Sequence, residues 1–392
     1  MTEPKYEKKD LEAMRAWPLQ KKIQVSTTRL LEWYEWFDGR IYISFSGGKD
    51  STVLADIAAR LYKTYRKMHP EHSDPLTLVF VNTGLEYPEI QRFVKRFAEW
   101  LRDAYEIPVN LEILRPEMSF PEVLAKYGYP VIGKEVAKVI YYAKRGSKWA
   151  VNRLDGLDKQ GKESSFKERY KKYKFMIDAP FDTSQLCCDV MKKHPAKKYE
   201  AETGRKPVVA TMTEESEQRQ SSWLRYGCNS FESDRPMSKP MSFWTEQDVL
   251  QYIKMRQAQW DSALSLCNIE IHSRTDKRAR KNARRLLSRE KSRFEIASVY
   301  GEIVEENAQL HLFDDEPPSK LQTTGCDRTG CMYCMFGIMS DKEPNRFQRM
   351  KKTHPRQYAY CIGGGHFENG ILKPDKTGLG VGKILDYIGK PY

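Results

Sequence analysis

No run of 18 apolar residues occurs in this chain, and no apolar stretch follows the charged opening MTEPKYEKKD. The first absence excludes an ordinary membrane-spanning helix, and the second leaves no secretory leader to expect. No internal repeat is visible, which excludes a solenoid or propeller. The expectation is a cytoplasmic protein without a membrane association. Eight cysteines in such a chain are not read as a disulfide framework. Clustered thiols in a reducing compartment bind metal or carry out redox chemistry instead.

What is present is an excess of positive charge, +13 over 392 residues, with 40% hydrophobic and 12% aromatic content. That composition supports a packed core and two or three domains of ~150 residues. The charge favours polyanionic partners such as nucleic acid or nucleotides.

The periodicity predicts a helix over 8–38, a short strand at Arg40–Ser46, a glycine turn, and a helix over Ser51–Met68. Further strands are expected at Leu76–Asn82, Val109–Leu114 and Pro207–Thr213, with a helix over Tyr87–Tyr105 between the first two. Strands alternating with helices predict an α/β fold, a doubly wound and mostly parallel sheet, continuing into a helical, cysteine-rich C-terminal region. Thr245 and Asp248 have capping-box spacing at the head of a helix over Thr245–Arg256. Residues 144–175, rich in Lys and Arg, read as an insertion or flexible surface. Residues 274–293 carry ten Lys or Arg against two acids and read as a basic helix for phosphate backbones, or as a solvated arm. Phe313–Leu321 reads as a linker and the glycine-rich tail from Gly363 as loop. The boundaries expected are a helical segment over 1–38, a nucleotide-binding domain over 39–260, a basic segment and linker over 261–320, and a cysteine-rich region over 321–392.

Ser46-Gly47-Gly48-Lys49-Asp50-Ser51 falls where the first strand becomes a helix. Paired glycines let backbone approach a phosphate, and the helix N-terminus supplies free N–H groups and a positive dipole end. Lys49 adds a charge, Asp50 can orient Mg²⁺ or water, and the hydroxyls of Ser46 and Ser51 can bond phosphate oxygens. The Walker A spacing is absent.

SFSGGKDS resembles the PP-loop of the ATP pyrophosphatase superfamily, which cleaves ATP between its α and β phosphates. Phe80–Glu89, Cys187-Cys188-Asp189 with Lys192 and Pro195, Glu214-Glu215-Ser216 with Arg219, and Pro240 with Trp244–Val249 resemble, in order, motifs of the phosphoadenosine phosphosulfate (PAPS) reductase branch. The resemblance spans about residues 20–260. It implies a nucleotide site at Ser44, Ser46, Gly47, Gly48, Lys49, Asp50, Ser51, Asn82, Thr83, Gly84 and Glu215, with ATP and Mg²⁺ bound there. Lys49, Asp50 and Arg219 are the expected catalytic groups. Arg219 either clamps a phosphate or pairs with Glu215. Two departures bear on activity. The phosphate loop is intact, whereas sulfonucleotide reductases usually have a degraded one, and the terminal E-C-G-[IL]-H motif of those reductases is absent.

Cys326-x₄-Cys331-x₂-Cys334 is a tight group of candidate metal ligands. Iron–sulfur adenylylsulfate reductases pair a Cys-Cys motif with a later C-x₂-C, and the ATP pyrophosphatase of DNA phosphorothioation joins an upstream cysteine to such a group. By that resemblance, four among Cys187, Cys188, Cys326, Cys331 and Cys334 hold a 4Fe–4S cluster. Zn²⁺ is the rival occupant and Cys361 a spare ligand. Cys228 and Cys267 read as small buried hydrophobes.

These readings give three expected activities. The first is an ATP pyrophosphatase that adenylylates an acceptor, DNA or tRNA, for sulfur transfer from a donor such as a cysteine desulfurase. The second is a PAPS or adenylylsulfate reductase. The third is an ATP-gated nucleic-acid-binding subunit of a modification or phage-defence system.

Overall fold

The structure is a computed structural model that describes residues 4–71, 74–165, 167–273, 294–306 and 320–392. The chain divides into two compact units. One comprises Met1–Phe80, Tyr87–Leu114 and Tyr199–Thr329, the other Val81–Glu86, Arg115–Lys198 and Gly330–Tyr392.

The first unit is built on a six-stranded sheet. Its strands are β1 (Ile41–Ser44), β2 (Leu76–Val81), β3 (Val109–Leu114), β4 (Lys206–Val208), β5 (Asn229–Ser230) and β6 (Met237–Ser238), in the spatial order β3-β2-β1-β4-β6-β5. β1 runs parallel to β2 and β4, β4 runs parallel to β6, and the edge strand β5 pairs antiparallel with β6. β2 is apolar along nearly its whole length and buried, as a parallel strand covered on both faces must be. The helix Lys49–Met68 follows β1, and the helix Pro88–Tyr105 follows β2 with proline in its first turn. Its Ile90, Phe93, Val94, Phe97 and Leu101 recur at helical spacing and join the core with Phe45, Leu78 and Trp244.

The expected α/β architecture with a mostly parallel sheet is present, with some changes of extent. The first helix is two, Lys8–Arg15 and Leu19–Trp36, because Pro18 lacks the N–H that a continuous helix needs. The strand expected over Pro207–Thr213 covers only Lys206–Val208. The helix expected over Thr245–Arg256 begins at Glu246 and continues to Ser273. Its capping box is formed: Asp248 Oδ2 accepts from Thr245 N at 2.7 Å, and Thr245 Oγ1 accepts from Asp248 N at 3.3 Å. The basic stretch 274–293 and most of the expected linker lie outside the described residues.

The second unit is mainly helical, with a short parallel pairing of Val131–Ile132 with Met335–Phe336. The basic segment 144–175, expected as an insertion or flexible surface, has regular structure of its own. It contains the helices Lys148–Leu154 and Lys167–Lys171, the first packed by Ala150 and Leu154. The glycine-rich tail is not a loop. It forms an antiparallel hairpin, His366–Glu368 with Ile371–Lys373, then the helix Val381–Tyr387. Its glycines permit backbone crossing, since a Cβ on Gly364 would stand 2.3 Å from the Gly378 nitrogen. Among the described residues no helix is long and apolar enough to cross a membrane.

Candidate phosphate-binding site and cysteine cluster

β1 runs through Phe45 into the turn Ser46–Gly48, and Gly48 is the N-cap of the Lys49–Met68 helix. Gly47 has φ +72°, and a Cβ there would lie 2.8 Å from Val94 Cγ2 and 2.9 Å from Ile90 Cγ2. Both the backbone sign and the neighbouring helix therefore demand glycine. A Cβ on Gly48 would stand 3.2 Å from Thr329 Oγ1 and 3.3 Å from both Ser46 Oγ and Tyr300 Oη. The hydroxyls of Ser46 and Ser51 are 3.1 Å apart, and Ser51 donates to the Gly48 carbonyl at 2.9 Å. A helix N-terminus lined by glycine backbone and the four hydroxyls of Ser46, Ser51, Tyr300 and Thr329 is suited to an anion.

Lys49 is buried, with its side chain only 3% exposed, and its Nζ is 2.9 Å from Glu246 Oε1 and donates to the Asp327 carbonyl at 2.8 Å. Burial pulls its pKa down, but Asp50 and Glu246 outweigh burial and leave it raised, so the ammonium stays charged. The backbone N–H of Lys49 donates to the Tyr300 hydroxyl at 3.1 Å, and that hydroxyl lies 2.7 Å from Thr329 Oγ1. Tyr300 thus places an oxygen on one of the helix-head amides that a phosphate would use.

Asp50 lies beside them, its Oδ1 3.9 Å from Lys49 Nζ. Burial raises the Asp50 carboxyl pKa, Lys49 opposes this, and Glu215 adds to it. Oδ1 is shut off from water without a hydrogen-bond donor. Such an orphaned acceptor fits a cation brought in with a phosphate. Glu215 forms an ion pair with Arg219 and lies 3.7 Å from Arg328. Of the two roles open to Arg219, the structure displays the pairing with Glu215. The first unit therefore gathers Ser46, Gly47, Gly48, Lys49, Asp50, Ser51, Glu215 and Arg219. Ser44 is half-buried in β1, in register with Val79 of β2. Sequence reasoning missed Tyr300, Asp327, Arg328 and Thr329, because nothing in their local pattern points to a loop some 250 positions earlier. Glu246 was within reach, since it stands in the Trp244–Val249 motif.

Asn82, Thr83 and Gly84 directly follow β2 and belong to the second unit. Asn82 Oδ1 accepts from Gly84 N at 3.0 Å, and buried Glu86 accepts from Thr83 N at 3.0 Å and from Thr83 Oγ1 at 2.7 Å. These bonds hold a tight turn. Gly84 has φ +75° with open space where a Cβ would be, so its glycine is a conformational requirement.

The second unit also brings Cys187, Cys188, Cys331 and Cys334 within electrostatic reach of one another, with Lys192 beside Cys331. Burial pushes the Cys331 thiol up to about 11 although Lys192 opposes it; burial also raises Cys187 and Cys334. Lys192 Nζ is 3.8 Å from Glu86 Oε1. Cys326 belongs to the first unit, where its thiol donates to the Arg328 carbonyl at 2.7 Å. Among the described residues no three His, Cys, Asp or Glu side chains are close enough to hold a metal as they stand. The all-sulfur donor set nonetheless suits an iron–sulfur cluster or Zn²⁺ better than a hard cation. Cys228 is buried in the first core and Cys361 is fully buried, whereas the side chain of Cys267 lies outside the described residues.

Residues 40–139 match the family model of the phosphoadenosine phosphosulfate reductase domain. The similarity to that family is thus confined to this stretch, about a quarter of the chain. The matched span contains the Ser46–Ser51 loop and the Asn82–Gly84 turn, and it ends before every one of the candidate cysteine ligands. An uncharacterised protein of Methanocaldococcus jannaschii is 31% identical over 115 residues, which is 29% of this chain and 24% of that protein. The chain thus matches about a quarter of that relative's length.

Proposed function

We propose that the protein is an ATP pyrophosphatase that adenylylates an acceptor for sulfur transfer. The observation that carries this reading is the intact Ser46–Ser51 loop of a PAPS reductase-family domain, with Lys49 buried, charged and beside Asp50 at a helix N-terminus. An acceptor oxygen attacks the α-phosphorus of ATP, the new P–O bond forms, the bond to the β-phosphate oxygen breaks, and pyrophosphate leaves. Charge builds on that leaving group. The amides at Gly48–Lys49, the Lys49 ammonium and the hydroxyls of Ser46 and Ser51 are placed to stabilise it. Asp50 Oδ1 is the oxygen available to Mg²⁺ carried by the phosphates. For a phosphate to reach the loop, it must take over the donors that Tyr300, Asp327 and Glu246 engage.

Cys187, Cys188, Cys331 and Cys334 are the residues that would hold a 4Fe–4S cluster, with Zn²⁺ as the rival, and Cys326 as an alternative ligand. A bound cluster would supply iron at which sulfur is held for delivery. Lys192 keeps a positive charge next to Cys331 and offsets part of the burial that holds its thiol protonated. A sulfur donor such as a cysteine desulfurase and a nucleic-acid acceptor complete the reaction; the net charge of +13 favours such an acceptor.

Pyrophosphate release from ATP tests the reaction. Lys49→Ala is expected to abolish it, by at least the ~10²-fold typical of losing one transition-state electrostatic partner. Release of ADP and phosphate, or no turnover by the wild type with any acceptor, would sink the reading. Sulfite produced from PAPS or adenylylsulfate would instead establish a reductase. Anaerobic purification with iron, sulfide and zinc assays tests the cluster. Four irons per chain are expected, lost in a Cys331→Ser, Cys334→Ser double variant, whereas zinc without sulfide would replace the cluster assignment.

A further inference from the structure

The second unit holds a cavity of about 360 Å³ lined by Glu135, Lys138, Val139, Trp149, Arg153 and Lys159. It shares no residue with the phosphate loop or with the cysteine cluster. Lys138 and Lys159 are exposed, while Trp149 and Arg153 are half-buried. Among the described residues Lys138, Arg153 and Lys159 have no carboxylate partner, although Glu135 lines the same wall. Trp149 meets the Tyr142 ring at 5.6 Å, and together with three cations that line the same cavity it offers an aromatic surface beside positive charge. The surrounding stretch is biased the same way: residues 134–175 contain thirteen Lys or Arg against five acids. Arg145 lies over the Tyr141 ring at 3.7 Å and Arg153 over Tyr170 at 4.9 Å, so planar cations and aromatic rings are interleaved there.

We propose that this pocket binds single-stranded nucleic acid, taking one unstacked base against Trp149 while Lys138, Arg153 and Lys159 meet the flanking phosphates. A concave site of this size accepts a flat aromatic group, which a paired duplex keeps inside its stack. Lys148, Lys162, Lys171 and Lys172 of the same stretch are exposed as well, and so many exposed cations suit a strand better than a mononucleotide. The binding stands on the pocket alone. That the bound strand is the acceptor to be adenylylated rests on the reaction proposed above.

The test is fluorescence anisotropy of the full chain with a labelled oligo-dT strand of about 20 nucleotides, and with a duplex of equal length, over a salt series. The single strand is expected to bind more tightly than the duplex. Trp149→Ala should weaken strand binding about tenfold or more, and Trp149→Phe should restore most of it, because the lost term is stacking. Lys138→Gln and Lys159→Gln, both at exposed positions, should each reduce the slope of log affinity against log salt by about 0.7. Equal binding by Trp149→Ala and the wild type, duplex binding as tight as the strand, or no salt-dependent binding would each overturn the assignment. Lys49→Ala should bind the strand as the wild type does. A wild type that binds the strand but never releases pyrophosphate refutes the reaction and leaves the pocket standing.

Discussion

Tyr300 is fully buried with its hydroxyl on the Lys49 backbone N–H, so one of the amides that would receive a phosphate already has a protein acceptor. Removing that hydroxyl leaves the ring and its packing in place. Tyr300→Phe is therefore expected to raise ATP affinity by up to about tenfold, the equivalent of one neutral hydrogen bond of about 0.5–1.5 kcal/mol. Isothermal titration of ATP against both proteins checks this. A fall in affinity would mean that the hydroxyl contacts the nucleotide instead of competing with it. The same residue illustrates how little of this site local sequence can announce. Gly47, Gly48 and Lys49 declare themselves by type and spacing, whereas Tyr300 and Thr329 are ordinary residues that matter only through folding. Arg219 carried two meanings in the sequence, and its ion pair with Glu215 is the one displayed.

At the scale of elements, the helix Glu246–Ser273 is anchored at its head by Asp248, while Glu214 Oε2 accepts from Glu246 N at 2.9 Å. Asp248 Oδ2 closes the capping box with Thr245 and lies 2.6 Å from Lys22 Nζ, which reaches across from the helix Leu19–Trp36 with a side chain only 3% exposed. Asp248→Ala leaves that ammonium buried and unpaired, so urea denaturation should register a loss of about 3–5 kcal/mol. Lys22→Met, which removes the charge while filling the space, should cost less. If Asp248→Ala were neutral, the pair would be dispensable to the fold. The sequence predicted this cap because both partners sit three positions apart; it offered no hint of Lys22, 226 positions away. It also misread the glycine-rich tail, because it treats glycine as a turn signal, whereas Gly364 and Gly378 serve close backbone crossing within a hairpin-and-helix unit.

Over the whole molecule, a set of tyrosines is held neutral by burial. Tyr34 is pushed up to about 12, and Tyr42, Tyr105 and Tyr252 are raised further, the last two with hydroxyls bonded to Asp56 at 2.5 and 2.6 Å. Arg256 donates to the same carboxylate at 2.9 Å, so the network is both buried and partnered. The folded chain holds these protons more tightly than the unfolded chain, whose tyrosines titrate near 10.0. Their contribution to stability is therefore complete below that pH and is lost as the pH climbs towards and beyond 12. Tyrosinate absorbance and circular dichroism, followed together in an alkaline titration, should show a group of tyrosines ionising only as the fold is lost. Ionisation of every tyrosine near its ordinary value with the dichroism intact would contradict the buried network.

The sequence by itself determined the alternation of strands and helices, the phosphate loop and the thiols worth watching, because these depend on residue type at short spacing. Only the tertiary structure decided which residues from remote stretches occupy the head of the phosphate-loop helix. It also decided that Cys187 and Cys188 share a unit with Cys331 and Cys334 while Cys326 does not, and that a basic stretch folds around a tryptophan-walled pocket. Chain separation hides such meetings: a side chain's chemistry is local, but its neighbours are chosen by the packing of the whole core.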